Sequence, residues 1–102
     1  MIQRARPSYN AAVRFEWDPN KEIRNLEKHG VSFEEAKTVF DDNLFVAFAD
    51  PDHSINERRY LIMGQSGQGR LLVVAYTERS GRIRLISARE ALRRERKFYE
   101  EI

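Results

Sequence analysis

The segment from Arg70 to Glu78 constrains this chain most, because Leu71, Leu72, Val73, Val74 and Ala75 follow one another with no polar residue between them, and Tyr76 extends the run. Such a run cannot alternate between core and water. It reads as a central strand covered on both faces, so the chain must place other layers on either side of a sheet. With 102 residues there is room for one domain, and a domain of that size buries roughly two-thirds of the surface that its unfolded chain exposes.

The segments around that strand carry clear boundary signals. Val13 to Trp17 alternates apolar and polar and predicts a short strand. Asp18 is a good N-cap, Pro19 suits the first helical position, and Gly30 follows the basic pair Lys28 and His29, so a helix is expected between them. Its apolar stripe, Ile23 and Leu26, is thin, which predicts a largely exposed helix. Ser32 and Glu35 form a capping-box pattern for a second helix with Phe33, Ala36, Val39 and Phe40 on one face. Strands are expected at Leu44 to Asp50, Arg58 to Gln65, Arg70 to Glu78 and Arg82 to Ile86. Ser87 with Glu90 then repeats the capping pattern for a last helix with Ala88, Ala91, Leu92, Phe98, Tyr99 and Ile102 as its stripe. The first 13 residues show no periodicity and read as a flexible tail, leaving 14–102 as the single domain. The order β-α-α-β-β-β-β-α predicts an α+β fold with a mostly antiparallel sheet packed by helices.

Charge is distributed unevenly. The net charge is +2, yet from Arg79 to Lys97 there are eight basic residues against Glu90 and Glu95 alone. The stretch from Glu34 to Glu57 is acidic instead. A basic C-terminal third suits a phosphate-bearing partner. The absence of cysteine rules out disulfides and thiolate metal sites and fits a reducing cytoplasm. No apolar run is long enough to span a bilayer and no signal peptide opens the chain, so no membrane association is expected.

Several chemistries are excluded by what is missing. Only His29 and His53 are available as histidine ligands, without metal-ligand spacing, and Asp50, Asp52 and His53 read as a polar loop. No Walker loop, dinucleotide fingerprint or serine elbow occurs, so no cofactor is expected. The residues that remain can cut RNA without a metal, because the substrate supplies its own 2′-hydroxyl nucleophile. The protein need only move protons and stabilise charge on the phosphate. His29 and Lys28 at a helix end, the strand residues Arg58, Tyr76 and Arg82, and Arg89 are the candidates. Arg89, read as the second residue of the last helix, opposes the helix dipole unless an anion binds there. A binding module that acts only through a DNA-binding partner stands as the alternative reading.

Phe15-Glu16-Trp17-Asp18, Lys21, Asn25 and Lys28-His29-Gly30-Val31-Ser32-Phe33 resemble the opening of the BrnT toxin family. The resemblance continues through Glu57-Arg58-Arg59, Gly64, Gly69-Arg70-Leu71, Tyr76-Thr77, Arg82-Ile83-Arg84, Ile86-Ser87-Ala88-Arg89, Glu95-Arg96 and Tyr99. It implies a RelE-like fold and an RNA-cleaving, translation-inhibiting toxin. It also implies a BrnA-like ribbon-helix-helix antitoxin as partner, through which operator DNA is reached.

Overall fold

The computed structural model describes residues 13–50 and 58–102, together with the backbone of Gln3–Arg4. Apart from that dipeptide, residues 1–12 of the expected tail lie outside the described residues, as do Asp52 and His53. The strands are β1 (Gln3–Arg4), β2 (Arg14–Glu16), β3 (Val46–Ala49), β4 (Arg59–Gln65), β5 (Leu71–Arg79) and β6 (Arg82–Glu90). The helices are α1 (Pro19–His29), α2 (Phe33–Lys37), which runs into a 3₁₀ turn at Thr38–Asp41, and α3 (Arg93–Glu101). One six-stranded sheet has the order β1-β3-β4-β5-β6-β2, antiparallel throughout except for β2 beside β6. This is the α+β architecture expected, with β5 at its centre and Leu71 through Thr77 all buried.

The two faces of the sheet are covered by different parts of the chain. Phe33, Ala36, Val39 and Phe40 from α2 and the 3₁₀ turn pack on Ile62, Leu72, Val74, Tyr76, Leu85 and Ala88. The opposite face presents Val46, Met63, Leu71 and Val73, and Tyr99 of α3 packs there. Burying each large apolar side chain contributes about 1.5–3 kcal/mol, so these two clusters outweigh any single polar contact in holding the layers.

The helix boundaries follow local chemistry. The Asp18 carboxylate accepts from Asn20 N at 2.8 Å, and Gly30 caps α1 at φ 69°, where its N–H donates to Leu26 O. Ser32 Oγ caps α2 by accepting from Glu35 N at 3.0 Å. Its expected reciprocal partner differs: the Glu35 carboxylate accepts from Ser66 Oγ and from the Arg70 guanidinium instead.

The largest correction concerns the C-terminal third. β6 runs on through Glu90, and α3 starts at Arg93, not after Ser87. The cause is a β-bulge: Ala75 pairs with Ser87 but Tyr76 pairs with Leu85, which leaves Ile86 without a partner on β5. The bulge shifts the parity of buried residues from 83 and 85 to 88, a spacing that imitates the onset of a helix. Arg89 is therefore a strand residue, and Leu92 with Glu95 caps α3. Of the expected stripe on the last helix, Tyr99 is buried while Leu92, Phe98 and Ile102 are exposed.

Candidate functional site

Asn25 joins α1 to the sheet. Its side-chain amide donates to Val31 O and Ala88 O, both at 2.8 Å, and its carbonyl accepts from Ala88 N at 3.0 Å. All polar capacity of this buried side chain is directed at backbone. α1 is thereby held beside β6 just past the bulge, at the edge that β2 leaves uncovered, since β2 pairs only with Arg82 to Arg84.

A cleft of about 430 Å³ opens between these two elements. One wall is the row Lys21, Arg24, Asn25 and Lys28, whose spacing places all four on one side of α1, with His29 completing it. The other wall is the bulge, Ile86 and Ser87, together with Arg59 from the start of β4. Arg59 shares the parity of Leu61 and Met63, so its side chain leaves the sheet on the α3 face and crosses β5 to reach the cleft. Bulges commonly re-aim side chains next to functional sites, and this one turns Ser87 toward the cations.

The described lining of this cleft is basic on both walls. Among the described residues no carboxylate lines it, and Lys21, Arg24 and Lys28 form no ion pair. Several basic residues outside it are held by acids: Arg70 by Glu35, Arg82 and Arg84 by Glu16, and Arg89 by Glu95. The basic residues of α3 (Arg93, Arg94, Arg96 and Lys97) instead share their surface with Glu100. Lys28 and His29 also sit in the last turn of α1, where the partial negative charge of the helix end favours cations. The arrangement can bind a phosphodiester, because its donors converge and nothing acidic competes for the same space. It has no donor set suited to a divalent cation, and no cluster of His, Asp or Glu side chains able to hold one occurs among the described residues.

The cleft unites two of the six residues proposed from sequence, Lys28 and His29. Tyr76 is 3% exposed in the core, stacked on Tyr60 at 5.4 Å and edge-on to Phe40 at 5.1 Å. Arg58 is exposed just before β4, and its carbonyl accepts from Thr77 Oγ1. Arg82 is exposed at the start of β6 with its guanidinium 3.5 Å from Glu16. Arg89 is bound through both terminal nitrogens to Glu95, which neutralises the charge that had suggested a bound anion. Arg24, Arg59 and Ser87 are cleft residues that sequence reading passed over. The spacing of Lys21, Arg24 and Lys28 carries a legible signal for the α1 wall; Arg59 depends on strand order and had none.

The BrnT_toxin family model, described as "Ribonuclease toxin, BrnT, of type II toxin-antitoxin system", matches residues 17–95. Among solved structures, the chain is similar to the 1.1 Å crystal structure of the Brucella abortus ribonuclease toxin BrnT. The TM-score is 0.60 at 20% identity, over 80% of this chain and 100% of that one. At that identity the likeness is one of fold. No curated protein matches the sequence.

Proposed function

Since the chain belongs to the BrnT family, the ribonuclease toxins of type II toxin–antitoxin systems, we propose that it cuts RNA internally, without a metal, in the cleft between α1 and the β6 bulge. The observation that carries this reading is the convergence of Lys21, Arg24, Lys28, His29 and Arg59 in a cleft with no carboxylate among its described lining residues. In the proposed reaction the 2′-hydroxyl attacks the neighbouring phosphorus and the bond to the 5′-oxygen breaks. The 2′-proton passes to a base, and the leaving oxygen takes up a proton. The products are a 2′,3′-cyclic phosphate and a free 5′-hydroxyl.

His29 is the proton-transfer group in this reading, since imidazole is the side chain suited to exchanging protons near neutral pH. Lys28 and Arg59 stabilise the charge that builds on the phosphoryl oxygens, the forked guanidinium being suited to two of them at once. The row Lys21 and Arg24 holds an adjoining phosphate. In the cell the toxin would act in the cytoplasm, inhibit translation, and rest in a complex with a BrnA-like ribbon-helix-helix antitoxin through which operator DNA is contacted.

Cleavage of RNA by the purified protein in excess EDTA, with analysis of the product ends, tests the proposal. Cyclic phosphate ends are expected. His29→Ala should lower the rate by about 10²–10⁴ while the melting temperature stays within a few degrees of the parent. RNA that is bound but never cut, on its own or on translating ribosomes, would favour the non-catalytic binding module instead.

A further inference from the structure

The same face of the sheet that Arg59 crosses carries an unusual accumulation of arginine. Reading across strands, Arg59 pairs with Thr77, Thr77 with Arg84, and Arg84 with Glu16. Two residues further along β5, Arg79 pairs with Arg82, and Arg82 with Arg14. Directly paired residues point to the same side of a sheet, so among the described residues five arginines and one carboxylate, Glu16, occupy one end of one face. α3 lies over the other end, where Tyr99 packs with Met63, Leu71 and Val73. Like charges placed opposite one another weaken a sheet, and the row Arg79, Arg82, Arg14 does this twice in succession.

We infer that this arginine face is a phosphate track continuous with the cleft, along which single-stranded RNA flanking the cut site lies, and that Glu16 occupies it when RNA is absent. The inference rests on the ribonuclease reading of the cleft. Continuity comes from Arg59, which belongs both to the cleft lining and to the first cross-strand row. The occupant is nucleic acid because the two rows offer guanidinium forks and no apolar side chain, whereas a protein interface needs apolar anchors. Glu16 imitates the ligand: its carboxylate lies 3.0 Å from Arg84 and 3.5 Å from Arg82, one oxygen to each. The hydrogen bond from Arg84 holds that carboxyl below the ordinary glutamate range, so it stays ionised and RNA must displace it.

The test is fluorescence anisotropy of a labelled 2′-O-methyl oligonucleotide, which lacks the nucleophile and cannot be cut, titrated over a range of salt. Arg84→Gln should weaken binding several-fold and reduce the magnitude of the salt slope by about 0.7, the value of one released counterion on a single strand. Arg84→Lys, which keeps the charge, should restore the slope. Glu16→Gln should act oppositely and tighten binding several-fold, an effect that loss of structure cannot produce. Unchanged affinity and slope in both Arg84→Gln and Glu16→Gln, or no binding by the parent protein, overturns the track. Cleavage of unmodified RNA by the parent protein is measured alongside. If cleavage persists while the track variants do nothing, the track alone fails; if cleavage is absent while they behave as expected, the cleft reading alone fails.

Discussion

The Arg89 guanidinium holds both oxygens of the Glu95 carboxylate, Nη1 on Oε1 at 2.7 Å and Nη2 on Oε2 at 2.9 Å. This parallel pair connects the end of β6 to the first turn of α3, while Oε1 also accepts from Leu92 N at 2.8 Å and so caps the helix. One carboxylate thus performs two tasks. Glu95→Ala removes the cap and the ion pair together, and both are partly exposed, so a loss of about 1–2 kcal/mol is expected in chemical denaturation. Arg89→Lys should lose part of the pair only, since an ammonium cannot present two parallel donors.

Asn25 is 6% exposed, and three backbone groups depend on it. Asn25→Ala leaves Ala88 N and two carbonyls without their partner, a loss of roughly 2–4 kcal/mol. Asn25→Asp is the sharper test. The introduced carboxylate would keep the bond from Ala88 N but turn a lone pair toward Val31 O and Ala88 O. Its folded-state pKa is raised, so this variant, unlike the parent, should gain stability as pH falls and the carboxyl acquires a proton to donate. Thermal melts of the two proteins across the acid range decide it.

Gly64 faces the junction between the 3₁₀ turn and α3. A Cβ there would lie 3.0 Å from Val39 Cγ1 and 3.0 Å from Asp42 Oδ2. Neither neighbour can yield readily: Val39 is fully buried, and Asp42 Oδ2 already accepts from Gln65 N and from the Tyr99 hydroxyl. Gly64→Ala should therefore destabilise by about 1–3 kcal/mol through overpacking. Tyr99→Phe, which removes only the hydroxyl contact to a carboxylate, should cost about 1.5 kcal/mol. If Gly64→Ala melts with the parent, the close packing at Asp42 is wrong.

These particular residues show what a sequence can and cannot reveal. Asp18, Pro19, Gly30 and Ser32 act through neighbours within a few positions, and each sits where its local chemistry requires. Leu71 to Tyr76 announces a strand at the centre of the sheet for the same reason. The end of β6 misleads because Ser87 and Glu90 fit a capping box while the real constraint, the bulge at Ile86, is set by pairing with β5. The cleft divides the same way. Lys28 and His29 are visible as the basic end of a helix, but Arg59 reaches them only because β4, β5 and β6 lie side by side. Glu35 reads as a local cap, yet its carboxylate serves a residue 35 positions away.

That long-range pair predicts how the protein responds to acid. Glu35 is 4% exposed, and its two oxygens accept from Arg70 Nη2 at 2.5 Å and Arg70 Nε at 3.0 Å, with Ser66 Oγ at 2.7 Å. Arg70 reaches on to Gly30 O at 3.0 Å, so the pair fastens the end of α1, the start of α2 and the β4–β5 turn to one another. The hydrogen bonds from Arg70, with those from Ser66 acting in the same sense, hold the Glu35 carboxyl below its ordinary value of 4.5 against the opposing effect of burial. A carboxyl with a depressed folded-state pKa stabilises the fold above its unfolded value and loses that contribution as pH falls through the folded value. Glu95, lowered chiefly by Arg89, adds to the same window. Stability should thus be nearly level from neutrality down to about pH 5 and fall steeply below 4.5. Glu35→Gln removes the buried one of the two carboxylates on the guanidinium, leaving only the exposed Glu90 at 3.4 Å, at a cost of roughly 3 kcal/mol near neutral pH, and should flatten part of the acid limb because one titrating group is gone. Denaturant midpoints of parent and variant, measured from neutral pH into the acid range, should converge. Parallel curves would mean that Glu35 carries none of the acid sensitivity.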